Sequence, residues 1–300
     1  MERSDLFMAF AWSLRQGQLD QSTGASATTI ETTLRECARI MVARELADPR
    51  RQHPAQNRLD ARFSLQFKKW KNEDPAPRPE HALPNSTVKL LARLYGASTK
   101  KNLTIIADLV IIAYFFLLRV CEYTKSTRST QTIPLRRQDI QLWRNNRILH
   151  HSLPREELLR ADAVTINLVN QKNGVKGAVV HHTSSGDSTF DPVKSMARLV
   201  FAIQTLPGTT QLGSFQDANG SVQCIRPKQI VAALRVAAMA DNLHNAGFEL
   251  KRIGSHSLRS GGAVNLKLNG YDHAMIMKLG RWYGNTYLLY IQNSIGALTT

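Results

Sequence analysis

Apolar positions recur at helical spacing along most of the chain, and only one region alternates. The helical period covers residues 5–18, 28–47 and 59–71. In the second of these, Ile30, Leu34, Ala38, Ile40 and Met41 form an apolar stripe. The stretch DPAPRPEHALPN, residues 74–85, then carries four prolines in twelve positions. Proline fixes its own φ and restricts the residue before it, so such a run favours extended backbone and reads as a linker. Beyond it, 86–95 and 103–124 read as helices, and the second is so apolar that it must be buried. Residues 164–169 and 178–182 read as strands, and Asn173-Gly174 between them is a strong hairpin signal. Helical spacing returns over 193–206, 227–246, 257–269 and 273–279. The expected fold class is mainly α, formally α+β. A small helical domain spans 1–74, a Pro-rich linker 75–85, and a larger helical domain with a short antiparallel sheet 86–300.

Composition fits this picture. Three hundred residues, 43% apolar and 21% charged, suffice for two domains with their own cores and argue against disorder. Charge adds something new. Lys and Arg number 39 against 23 acidic residues, a net charge of +16. So large a surplus favours a polyanionic partner, of which nucleic acid is the commonest, although a merely soluble basic protein is the alternative on charge alone. Cys37, Cys121 and Cys224 lie far apart with no C-x-x-C spacing, so neither a disulfide framework nor a zinc site is expected, and a reducing compartment fits. The opening MERSDLFMAFAWSLRQ lacks the pattern of a signal peptide. Segment 103–118 is interrupted by Asp108 and is too short to span a bilayer, so neither secretion nor a membrane is expected. The chain carries no phosphate-loop, dinucleotide-binding, zinc-protease or serine-hydrolase motif, so no cofactor and no metal are expected.

Three groups of residues could carry chemistry. His256 and Arg259 share one helical face and are followed by Ser-Gly-Gly, where a backbone or a ligand could approach closely. An Arg fork beside a His suits a phosphate, while a helix surface with a capping His explains the same pair. Arg119 ends the most apolar helix, where its charge needs an anionic partner, and Glu122 could hold it; a plain helical ion pair is the simpler reading. Tyr283, Tyr287 and Tyr290 cluster near the end. Aromatics at such spacing usually pack into a core. A phenol, with a pKa of about 10, attacks phosphorus only if a neighbour takes its proton and cations favour the phenolate.

Taken in order, LLRVCEY, QKNGVKG, HSLRSGG, LGRW and YLLYIQN resemble the signature of the tyrosine recombinases, the phage-integrase-type enzymes. The LGRW…YI ending is most similar to the Crypton-type and DIRS-type recombinases of eukaryotic mobile elements, with bacterial integrases as the other branch. The motifs span residues 86–293, and the first third resembles the family's helical, DNA-binding core-binding domain only in size and helicity. The resemblance implies a site-specific recombinase or integrase that cleaves and rejoins DNA through a 3′-phosphotyrosine intermediate without metal or ATP. It makes Arg119 and Arg259 the phosphate clamp, Glu122 the group that orients Arg119, and Lys172 the acid for the leaving 5′-hydroxyl, with Lys176 in reserve. It makes His256 an acid/base, Trp282 an indole donor and apolar wall where most members have His, and Tyr290 the nucleophile, leaving Tyr283 and Tyr287 to packing. The implied partner is double-stranded DNA with self-assembly as a dimer or tetramer, in the nucleus of a eukaryote or otherwise in the cytoplasm.

Two departures stand out. Trp282 to Tyr290 is eight residues, one fewer than in most bacterial members, and only ten residues follow Tyr290, where many relatives use a longer segment to dock on a neighbouring subunit. Two other readings stand beside the enzyme: a cleavage-inactive DNA-binding protein derived from such a recombinase, and a type IB topoisomerase-like enzyme.

Overall fold

In the computed structural model, which describes residues 2–18, 24–51, 58–76, 79–125, 132–171, 176–284 and 287–288, the chain divides into two compact units, Met1–Pro77 and Arg78–Thr300. The first is built on three helices, α1 (Arg3–Arg15), α2 (Ala27–Val42) and α3 (Ala61–Glu73). Ser26 and Asp60 start the second and third by accepting from the exposed N–H groups of Thr29 and Arg62. Ala11, Ala27, Ile30, Leu34, Phe63, Phe67 and Trp70 form the core, with Trp12 edge-on to Trp70 at 5.1 Å. The predicted α2 stripe is narrower than expected. Ile30, Leu34 and Ala38 are buried at four-residue intervals, whereas Ile40 falls off that face and is exposed. Asp74 draws the helix ends together, accepting from Ala27 N at 2.7 Å and from the Arg15 guanidinium.

The second unit starts inside the Pro-rich run, which is therefore not a linker throughout 75–85. Residues from Pro79 onward lie along the segment before the helix at 257: His81 N donates to Arg252 O at 2.9 Å, Leu83 N to Ser257 O at 3.0 Å, and Ala82 and Leu83 are buried. Then come α4 (Asn85–Gly96) and α5 (Lys101–Phe115). The apolar α5 is buried from Ile105 to Tyr114, and its polar interruption, Asp108, pairs with Arg198 at 2.6 Å. The helix expected over 103–124 is broken. Leu117 turns left-handed (φ 49°), and a single turn, α6 (Val120–Tyr123), follows with Arg119 at its N-cap.

A four-stranded antiparallel sheet comes next, built from β1 (Ile140–Arg144), β2 (Arg147–Leu149), β3 (Ala163–Asn170) and β4 (Lys176–Thr183) in the order β2-β1-β3-β4. The β3–β4 pair sets Val164 opposite His182 and Asn170 opposite Lys176. Asn173-Gly174 lies outside the described residues. The β1–β2 hairpin is additional to the expected strands, and its turn is Asn145-Asn146, both left-handed (φ 49° and 60°), as a tight hairpin requires. A short α7 (Arg155–Leu158) precedes β3. After the sheet come α8 (Pro192–Ala202), β5 (Ser214–Gln216), β6 (Val222–Cys224), which pairs with β5, and α9 (Pro227–Ala240); α4, α8, β5 and α9 pack on α5. The helix expected over 227–246 ends at Ala240, and Asn242 turns left-handed (φ 54°). Finally α10 (Ser257–Leu268) crosses α5, and α11 (His273–Gly280) packs on α10.

Candidate active site

Two glycines let α10 approach the segment before α4 and the end of α5. A Cβ at Gly261 would fall on the Leu83 carbonyl oxygen, and one at Gly262 on the Tyr114 carbonyl oxygen. The Ser-Gly-Gly after Arg259 thus serves a close approach of backbone. It brings Arg259, itself buried, to the broken end of α5, where one guanidinium nitrogen donates to Leu117 O and the other to Gly280 O. The Trp282 ring lies on the same guanidinium, 4.3 Å from its carbon. Gly280 is required there as well, since a Cβ would enter the Trp282 ring.

Arg119 arrives from the other side. Its backbone N–H donates to Glu122 Oε2 at 2.8 Å and its Nη1 to Oε1 at 3.0 Å, while its side chain is 19% exposed. The Glu122 carboxylate is wholly buried and serves a second cation, for Arg281 Nη2 donates to Oε2 at 2.9 Å. Arg281 also donates to Phe116 O at 3.1 Å, Leu117 O at 3.2 Å and Gln171 Oε1 at 3.0 Å. Burial pushes the Arg281 guanidinium below its usual pKa, with Glu122 opposing that shift and Arg119 adding to it. The break in α5 now has its cause. The Leu117 carbonyl is taken by two guanidiniums from distant parts of the chain, so it cannot continue a helix.

His256 is the N-cap of α10, three residues before Arg259, and its side chain is 53% exposed. Its Nδ1 lies 3.8 Å from Glu80 Oε1, while Glu80 Oε2 accepts from His256 N at 2.7 Å and Ser257 N at 3.1 Å. Burial pushes the Glu80 carboxyl up, but the His256 side chain and these amides outweigh it and hold it below the usual glutamate range. Lys176 is exposed at the start of β4. Lys172 and Tyr290 lie outside the described residues. Of the other two tyrosines, Tyr287 packs as expected, buried against Ala263 and Ile276 with its hydroxyl 2.7 Å from His273 Nδ1. Tyr283 does not, being 76% exposed.

The structure therefore links Arg119, Glu122, Arg259 and Trp282 through shared partners and places His256 one helical turn from Arg259. Sequence reasoning missed two participants. Arg281 stood inside the LGRW motif without a role, and Glu80 was read as linker. Among the described residues, no group of three or more His, Cys, Asp and Glu could hold a metal ion, and no helix is long and apolar enough to cross a membrane.

No family model matches the chain, and no curated protein does. Solved structures do. The chain is similar to the Tn1549 transposon integrase in complex with transposon right end DNA, at 14% identity over 100% of this chain and 84% of that one, with a TM-score of 0.51. It is also similar to the XerH site-specific recombinase bound to palindromic difH substrate, at 15% identity over 99% and 70%, with a TM-score of 0.54. The fold is that of the site-specific tyrosine recombinases, with the helices and small antiparallel sheet of their catalytic domain.

Proposed function

We propose that this protein is a tyrosine recombinase, which breaks a DNA strand by forming a 3′-phosphotyrosine bond and rejoins it by reversal. The observation that carries the reading is the shared carboxylate: buried Glu122 holds Arg119 and Arg281, while Arg259 and Arg281 close on the Leu117 carbonyl. Cations fixed in advance in this way suit charge that develops on a phosphate during displacement. The net charge of +16 suits a polyanion, and the two solved structures of this fold hold DNA.

In this reading Arg119 and Arg259 hydrogen-bond the non-bridging oxygens of the scissile phosphate. The Tyr290 hydroxyl oxygen bonds to phosphorus as the 5′-oxygen leaves. Lys172, or Lys176 in its place, protonates that oxygen, and His256 handles the tyrosine proton. Trp282 backs Arg259 and walls the phosphate. One phosphodiester replaces another, so the bond energy is kept for rejoining and ATP is not needed. The LGRW…YI ending supports a Crypton-type or DIRS-type enzyme, and assembly on duplex DNA as a dimer or tetramer belongs to the same proposal.

The test uses nicked duplexes carrying the repeats that flank the reading frame, with EDTA present. Wild type should form a covalent adduct that shifts the protein band on a denaturing gel. Tyr290→Phe should lose it and Tyr283→Phe keep it. Arg119→Ala should bind duplex yet cleave slower by about 10²-fold or more, as transition-state charge loses its partner. If wild type binds but forms no adduct on any of these duplexes, the binding-only reading replaces this one.

A further inference from the structure

Arg281 has no part in the roles assigned above, yet its side chain joins three segments far apart in the chain: the end of α5, Glu122 in α6, and Gln171 just past β3. We propose that Arg281 is a positioning residue for strand cleavage, setting Arg119 through Glu122 and the approach to Lys172 through Gln171. The inference rests on the recombinase reading.

Four observations support it. The Arg281 side chain is 5% exposed, and its Nε and both Nη nitrogens already donate to protein acceptors, one of them the Glu122 carboxylate that also holds Arg119. Its donors fan out in the guanidinium plane, Nε to Gln171, Nη1 to Phe116 O and Nη2 to both Leu117 O and Glu122. An ammonium could not reproduce that fork. The backbone bears a cost to place it, because Arg281 sits left-handed (φ 56°), where a helix end usually has glycine. Finally, Gln171 is fully buried, its Nε2 has no hydrogen-bond partner among the described residues, and its Oε1 accepts from Arg281 Nε at 3.0 Å. Gln171 directly precedes Lys172 in the chain. The carboxylate oxygen that Arg281 grips also accepts the Arg119 backbone N–H, so moving one cation re-aims the other.

The experiment measures single-turnover cleavage, duplex affinity and thermal unfolding for Arg281→Lys, Arg119→Ala, their combination, and Gln171→Met. Each protein is assayed on nicked duplexes with an ordinary scissile phosphate and with a 5′-bridging sulfur, whose thiol leaving group needs no proton. Arg281→Lys should unfold cooperatively and bind duplex within about threefold of wild type, but cleave about 30-fold slower, the scale expected of a misaligned site. Added to Arg119→Ala it should cost little more, because both act through one group. A purely structural role would instead multiply the two losses. Gln171→Met should slow the ordinary substrate about tenfold and the sulfur substrate less. Wild-type cleavage by Arg281→Lys, or multiplied losses in the double variant, overturns the inference and leaves the recombinase reading intact. Should Arg281→Lys fail to fold, Gln171→Met decides, and no loss or equal loss on both substrates overturns it. Absence of any adduct from wild type removes the reading and the inference together.

Discussion

Replacing Glu122 by alanine should destabilise the second unit far more than loss of a surface ion pair. The Glu122 side chain has no exposure and that of Arg281 has 5%, so the substitution leaves a buried guanidinium without a counter-charge. Breaking such a pair from one side costs about 3–5 kcal/mol. Arg281 would keep the carbonyls of Phe116 and Leu117 and the Gln171 amide as acceptors. These partly replace the lost solvation, which puts the pair's share near 3 kcal/mol, by the lower end of that range. The Arg119 N–H also loses its 2.8 Å acceptor at the start of α6, which adds about 1 kcal/mol. At roughly 2–4 °C per kcal/mol for a unit of this size, the melting midpoint should fall on the order of 10 °C by circular dichroism. The companion variant is sharper. Glu122→Ala with Arg281→Met removes both charges and fills the space with an apolar chain, so it should melt above Glu122→Ala alone. A loss below about 1 kcal/mol for Glu122→Ala, or a double variant less stable than the single, would refute the shared-carboxylate argument.

Gly262→Ala should lower the urea midpoint by the equivalent of about 2 kcal/mol or more, because its Cβ would meet the Tyr114 carbonyl oxygen; an unchanged midpoint would mean that α10 is free to shift. Tyr287→Phe should cost about 1 kcal/mol through loss of the hydroxyl's bond to His273, yet retain the DNA adduct, and loss of the adduct would transfer the nucleophile's role. Burial lowers His182 to about 4 from its ordinary 6.5, so the unfolded chain takes up the proton first. The stability held above pH 6.5 should then fall by on the order of 3 kcal/mol as pH drops through 6.5 to 4, and urea titrations of His182→Leu should lack that slope. Duplex affinity should fall steeply and log-linearly with salt through counterion release, and a flat dependence would count against DNA as the partner.

Features written in local pattern were legible. The helical periodicity of the first unit, the alternation of β3, the Arg119–Glu122 spacing and the close approach at Gly261-Gly262 all follow from neighbours in the chain. What escaped depends on partners far away. Nothing near Leu117 foretells a break in so apolar a helix, because Arg259 and Arg281, 142 and 164 residues later, hold its carbonyl. Glu80 looked like part of a spacer because the amides it caps belong to α10, 176 and 177 residues on. Arg281 was hidden in a motif whose other members carried the resemblance. The β1–β2 turn is a different kind of omission: Asn145-Asn146 is a local signal, but the flanking strands are too short to show alternation.

The carboxylate between two arginines also orders the molecule in time. Glu122 and Arg281 are 159 residues apart, so at roughly 5–20 residues per second a ribosome adds the second about 10–30 s after the first. Throughout that interval a nascent chain has the helix end, the acid and Arg119, but not the guanidinium that fixes them. Arg119 and Arg259 thus reach their final arrangement only once synthesis has passed residue 281, and a chain interrupted between residues 259 and 281 carries both arginines and the acid without the guanidinium that ties them together.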